Sequence, residues 1–256
     1  MRTFLSERLN AGLLIVVAML MGSGQVFAAH PLVSEDNGTQ GPGGKQIEVN
    51  SDWSRDSRRT TATAAMTFTQ GVTDTLDLFL TLPSTWRAPA HEATGINDVS
   101  LGAKWRLLES DGFSLGVKPE WIAPAGDAQK GLGQGRDGLG LTVMGQLDAG
   151  DFSWLFNVGL TQRRFSLPSA RDNNRTTVQR ISAALIYSIN DRLKAAIDLG
   201  QSQAEEKAEK SHPKFLLIGA IYEITEGLDI DIGWKKALTA NETDRQLGVG
   251  ITWRFQ

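Results

Sequence analysis

DRQLGVGITWRFQ, residues Asp244–Gln256, is the stretch whose reading decides the fold. From Leu247 every second residue is apolar: Leu247, Val249, Ile251, Trp253 and Phe255. The residues between them, Gln246, Gly248, Gly250, Thr252 and Arg254, are small or polar. Such alternation sends the two sets to opposite faces of a β-strand. A soluble sheet alternates as well, so the distinction rests on the last residues. Trp253 and Phe255 stand on the apolar face where a transmembrane barrel needs interfacial aromatics, and a soluble domain has no comparable need of them. The expected fold is all-β, an antiparallel transmembrane β-barrel.

Working back through the chain, about twelve alternating segments fall near residues 45–55, 60–70, 75–86, 97–108, 113–124, 138–148, 151–164, 177–189, 193–203, 214–224, 228–238 and 245–255. Ten residues at about 3.4 Å each, tilted near 45°, rise roughly 24 Å, which matches an apolar band of about 25 Å. The connections alternate in kind. Gly71–Thr75, Glu109–Gly112, Ala149–Gly150, Asn190–Arg192 and Thr225–Gly227 read as tight turns bearing Gly, Asp or Asn. Between them lie longer polar links at Arg87–Ile96, Ala125–Asp137, Phe165–Thr176, Ala204–Pro213 and Thr239–Asp244, with a short one near Asp56–Arg59. Short periplasmic turns and longer extracellular loops are the outer-membrane arrangement, with both ends of the barrel chain in the periplasm.

Strand parity places all seven Trp on the apolar set and near strand ends. Trp53, Trp86, Trp121 and Trp234 fall towards the long links. Trp105, Trp154 and Trp253 fall towards the tight turns, with Phe255 among the aromatics that join them. Two aromatic girdles around an aliphatic middle are a bilayer pattern. The opposite face carries Glu48, Asp77, Lys104, Arg106, Lys118, Glu120, Arg163, Arg180, Lys194, Asp198, Asp229, Asp231, Lys235 and Arg254. Mid-strand charges are costly towards lipid, so this set is expected to line the lumen, paired across it or wetting it. Pro119 removes a ladder donor inside its strand and suggests a bulge. Phe215–Ile218 is apolar on both faces, which makes the lumen locally greasy there.

The N-terminus indicates the compartment. Arg2 and Arg8 precede an apolar run at Ala11–Met21, too short to span a bilayer that needs roughly 20 residues. Val26-Phe27-Ala28 then offers a small-residue cleavage site. Residues 1–28 are expected to be a secretory signal peptide, 29–44 a Gly-, Pro- and acid-rich lead-in, and 45–256 the barrel. The 256-residue chain has formal net charge −3, 27 Gly and no Cys. Without cysteine, an exported protein draws its stability from packing and hydrogen bonds alone. Net charge near zero gives no case for nucleic acid. Mean hydropathy of −0.21 does not suit a helical membrane protein, whereas a barrel turns half its strand residues to water.

Motifs for chemistry are sparse. Gly133–Gly138 spells G-x-G-x-x-G, but that fingerprint needs a following helix, and the strand-like Leu139–Val143 follows instead. The three histidines are His30, His91 and His212. His91 and Glu92, with Ser84 nearby, are a conceivable base, orienter and nucleophile, although proximity in sequence does not supply the geometry. No metal-ligand spacing is present. No catalytic residue and no cofactor are expected.

Four stretches together resemble one known family: His30–Asp36 with Gly38–Gly41, then Asn97–Trp105, then Pro124–Asp127 with Lys130–Gly133, and finally Gly250–Phe255. The sequence resembles the outer-membrane family named for a MetA pathway of phenol degradation, over essentially all of the chain after the signal. Gln256 departs from the usual terminal aromatic. The resemblance implies an outer-membrane protein that helps small organic compounds, aromatic ones among the candidates, to enter the cell. The expected partners are outer-membrane lipid, small solutes and, during biogenesis, the barrel-assembly machinery; the sequence leaves oligomeric state open. The leading expectation is a passive channel of a Gram-negative outer membrane, gated by the N-terminal segment or the Ala125–Asp137 link. A closed structural or partner-binding barrel and an outer-membrane hydrolase are the alternatives.

Overall fold

A computed structural model describes residues 30–56, 59–90 and 92–256. The signal segment expected at 1–28 and His91 lie outside the described residues. The strands are β1 (Lys45–Asp56), β2 (Arg59–Gly71), β3 (Leu76–Arg87), β4 (Gly95–Ile96), β5 (Val99–Ser110), β6 (Phe113–Ala123), β7 (Gly138–Ala149), β8 (Phe152–Gln162), β9 (Thr177–Ser188), β10 (Leu193–Ser202), β11 (Lys214–Thr225), β12 (Leu228–Ala237) and β13 (Arg245–Phe255). Apart from the two-residue β4, each pairs antiparallel with its sequence neighbours, and β13 pairs back onto β1, from Lys45 opposite Phe255 to Arg55 opposite Arg245. The sheet thus closes into a twelve-stranded barrel with no free edge, the condition for spanning lipid with strands.

Period-2 alternation fixes the register. On β12, Ile230, Ile232 and Trp234 are exposed while Asp229, Asp231 and Gly233 are buried. The same division on neighbouring strands wraps the barrel in exposed Leu, Ile, Val and Phe, a continuous apolar surface that belongs in a bilayer. Most turns at one end are tight, with Gly112, Gly150 and Gly227 at positive φ where a side chain is disfavoured. The opposite end carries the longer connections, including a short helix Pro168–Asn173.

Pro119 behaves differently from expectation. The β5–β6 ladder keeps one register from Gly102 opposite Glu120 to Trp105 opposite Val117, and shifts only beyond, between Arg106 and Leu108. Pro119 interrupts pairing without displacing the strand, and Leu107 is the inserted residue.

Candidate functional site

The lead-in is the organising element of the interior. Residues 30–40 enter the lumen instead of packing outside it, starting at mid-height beside β12 and descending towards the tight-turn end at β3. Leu32 packs on Leu155, Ala184, Ile186 and Ala196, an inward apolar cluster from β8, β9 and β10. The next residues are held by polar groups. Asp198 Oδ2 accepts from the backbone N–H of Val33 at 2.7 Å and of Ser34 at 2.8 Å, and its Oδ1 accepts from Ser34 Oγ at 2.9 Å. Ser34 Oγ also lies 2.8 Å from Ser182 Oγ. Asn157 bonds both the N–H and the carbonyl of Glu35, like one rung of a ladder. Asn37 donates to the Ser114 and Met144 carbonyls at 3.1 and 3.2 Å, and its own N–H meets Gln146 at 2.9 Å. Gln40 N–H then reaches the Asp77 carboxylate at 3.0 Å.

Close approach at the other end of the segment depends on glycine. A Cβ at Gly233 would stand 2.5 Å from Pro31 Cβ, and one at Gly219 would stand 2.6 Å from Pro31 Cγ. The inward glycines of β11 and β12 therefore form the seat of Pro31. Beside them, His30 hydrogen-bonds Asp231 through Nδ1, with Nε2 3.6 Å from Asp52. Burial alone would lower the His30 pKa, but the hydrogen bonds and charges of Asp231 and Asp52 outweigh it and raise the value to about 9. The imidazolium is an ionic clasp at neutral pH.

The charged set falls into three groups. Asp77, Lys104, Lys118, Asp198 and Asp231 contact the segment, Lys104 through Asp36 at 3.3 Å and Lys118 through Glu35. Others find partners on the wall or its connections: Arg254 with Asp229 at 2.9 Å, Lys235 with Glu242 at 3.2 Å, Arg163 with Glu205 at 2.7 Å and Arg106 with Glu109 at 3.1 Å. Glu48 accepts from Asn50, and Lys194 feels Asp229 and Arg254. Glu120 and Arg180 line open space. Pairing across an empty interior, one of the two arrangements expected, is thus largely replaced by pairing to the segment and along the wall.

Two cavities border Val33 on the side of the segment towards the longer connections. The larger, about 700 Å³, is lined by Val33, Arg180, Phe215 and Lys235 together with acidic loop residues including Glu205 and Glu242. The smaller, about 170 Å³, is lined by Val33, Glu35, Lys118, Glu120, Arg163 and Arg180. Val33 and Arg180 border both. Phe215 and Leu217 are buried on the inward parity, as the doubly apolar Phe215–Ile218 suggested. The apolar inward residues Leu155 and Ile186 were not singled out from sequence; their parity opposite Trp154 and Tyr187 was the available signal.

The aromatic residues stand near the two ends of the outward face. Trp53 and Trp86 meet edge to face at 5.8 Å towards the longer connections, with Trp121 and Trp234 at the corresponding ends of β6 and β12. At the turn end Trp253 stacks on Phe255 at 4.5 Å, Trp154 begins β8, and Trp105 is opposite Leu76 at the start of β3. The Ala125–Asp137 link is pinned by Asp98, which accepts from Gly126 and Gln134, and by Asn97, which donates to Leu132. Of the grouping weighed for hydrolysis, Glu92 pairs with Arg59, and Ser84 Oγ donates to the Ala64 carbonyl at 3.4 Å.

The model of the family described as "Putative MetA-pathway of phenol degradation" matches residues 29–255. The chain belongs to that family. Among solved structures this family member is similar to an outer membrane channel from Pseudomonas putida F1, at 17% identity and a TM-score of 0.69, covering 90% of this chain and all of that one. It is also similar to the NanC porin, at 11% identity, TM-score 0.60 and coverage of 82% and 99%, and to the KdgM porin, at 8%, 0.59 and the same coverage. These likenesses bear on the fold. A comparison with curated protein sequences returns no match.

Proposed function

We propose that the protein is an outer-membrane channel for passive uptake of small organic solutes, with residues 30–40 seated as a constriction. The observation that carries this is the manner of seating: polar bonds tie the segment to β3, β6, β7, β8, β9, β10 and β12, below two water-accessible cavities. Each such bond is worth only about 0.5–1.5 kcal/mol net, and lumen water can replace it, so the segment can yield without the barrel unfolding. In this reading residues 1–28 are removed on export, the girdle residues sit at the two membrane interfaces, and the charged set wets the path without strong selection for one sign of charge. Phe215, Leu217 and the Leu155–Ile186 cluster give the lumen one apolar side. Together with the polar lining, that side suits solutes with an apolar body and a polar group, and the family description adds aromatic compounds to the class. No cofactor and no catalytic step enter the mechanism.

The same tethering also favours a second reading, a closed barrel whose outer connections bind a partner. Liposome swelling separates the two. Proteoliposomes containing the protein are expected to swell in isotonic small aromatic acids and monosaccharides faster than protein-free liposomes. Equal rates for every solute would favour the closed barrel and defeat the channel.

A further inference from the structure

Two inward rows of the β9–β10–β11 wall meet where the two cavities share their border. In the lower row Ser182 on β9 pairs with Gly200 on β10, which pairs with Phe215 on β11. A Cβ at Gly200 would stand 2.5 Å from Phe215 Cε1 and 3.0 Å from Ser182 Cβ, so glycine lets the ring lie across β10 towards β9. Lys235 Nζ stands 5.6 Å from the centre of that ring. In the row above, towards the longer connections, Arg180 is the next inward residue of β9, roughly 7 Å along the strand from Ser182. Its inward neighbours Val178 and Ser182 are buried, whereas Arg180 is exposed and borders both cavities. Glu35 and Asp198 feel its charge, and both carboxylates are engaged in seating the segment, Glu35 with Lys118 and Asp198 with Val33 and Ser34. A guanidinium, a buried ring and Val33 of the segment therefore meet at one water-accessible place.

We propose that Arg180 and Phe215 form a binding site above the seated segment for an aryl monocarboxylate. Its role as a solute site rests on the channel reading above. The planar fork of a guanidinium matches a carboxylate bidentately, which a phenol or an alcohol cannot exploit. An aromatic ring carrying that carboxylate reaches back towards Phe215, where ring-on-ring packing adds to the apolar contact with Val33. A cavity of about 700 Å³ lies within the roughly 300–1,000 Å³ usual for small-molecule sites. On the loop side the larger cavity is bordered by Glu205, Glu206, Glu209 and Glu242. A second carboxylate at the far end of the solute would face these like charges, so the site selects a single one. Because Val33 borders both cavities, a solute held here lies against the segment whose displacement opens the path.

The full-length protein in detergent is titrated calorimetrically with benzoate, benzyl alcohol, acetate and terephthalate. The same titrations are made on R180Q and R180K variants checked for barrel folding by heat-dependent gel migration. Benzoate is expected to bind the unmodified protein about tenfold more tightly than benzyl alcohol, the factor that one hydrogen bond between charged groups supplies. Acetate, which lacks the ring, and terephthalate, which carries a second carboxylate, are each expected to bind more weakly than benzoate. R180Q is expected to bring benzoate down to the level of benzyl alcohol, and R180K, which keeps the charge without the fork, to fall between. Equal binding of benzoate and benzyl alcohol by the unmodified protein would overturn the proposal, as would undiminished benzoate binding by folded R180Q. Acetate or terephthalate binding as tightly as benzoate would also overturn it, since neither the ring nor the single charge would then be read. Proteoliposomes that swell in benzoate without this binding would remove the site and leave the channel standing. The binding pattern without swelling would uphold the site and defeat the channel instead.

Discussion

Asp198→Ala is the sharpest perturbation of the seated segment. Asp198 is fully buried in the protein and accepts three hydrogen bonds at the bend where the segment leaves Leu32 and turns along the wall. Bonds to a charged acceptor run to about 1.5–3 kcal/mol each, and lumen water re-pairing the freed donors cuts that to about 1 kcal/mol apiece. The seated state then loses about 3 kcal/mol, roughly 150-fold in the ratio of seated to displaced segment. In planar bilayers the variant is expected to show frequent or sustained high-conductance openings that the unmodified channel visits rarely. Asp198→Asn, which keeps one acceptor oxygen, is expected to fall between. Gel migration before and after boiling shows whether the barrel itself is intact. A folded Asp198→Ala channel with the conductance and open time of the unmodified protein would refute the reasoning, because the segment would then not limit the path.

Other consequences are smaller. Gly233→Ala places a methyl group against Pro31 and is expected to raise conductance while leaving heat-dependent migration unchanged; unchanged conductance would mean that Pro31 is not held there. His30 contributes to seating fully below its free pKa of 6.5, and that contribution fades as pH rises through about 9. Conductance should therefore increase between pH 7 and 10 in the unmodified protein, and the increase should shrink in His30→Gln; equal rises in both would trace the effect to other groups. Ile232→Lys puts a charge on the middle of the outward face and should cost about 2–4 kcal/mol of folding stability in lipid, measured by denaturant titration in vesicles. A cost near zero would mean that β12 does not face acyl chains.

The barrel was legible because two solvents write one code. Along β13, Leu247, Val249, Ile251 and Trp253 answer to lipid while Gln246, Gly248, Gly250 and Thr252 answer to the interior, so parity alone brings the strand limits within two residues of those observed. Trp residues such as Trp121 and Trp234 lie near strand ends, where parity and segment length put them. The path of residues 30–40 was not legible. Those residues have no periodicity, and their contacts are set by partners far along the chain, such as Asn157 for Glu35 and Gln146 for Asn37. Gly219 and Gly233 read as ordinary strand glycines until Pro31 is seen against them. Parity could list the charges of the inward set, but not their partners: Lys104 and Lys118 answer to Asp36 and Glu35 of a segment whose entry into the barrel no local pattern announces. The displaced register at Leu107 was also missed, because Pro119 is the residue that draws attention while the ladder absorbs it.

The chain has no cysteine, which permits a direct test of whether the seated segment closes the path. Ser34 and Ser182 have hydroxyls 2.8 Å apart, one on the segment and one on β9. An S34C/S182C variant is to be oxidised, verified as quantitatively cross-linked by mass, and its single-channel conductance recorded before and after reduction. The expected result is a channel held in its low-conductance state while the disulfide is intact, with larger openings appearing on reduction. Identical traces in the two redox states, with the cross-link verified, would contradict the account.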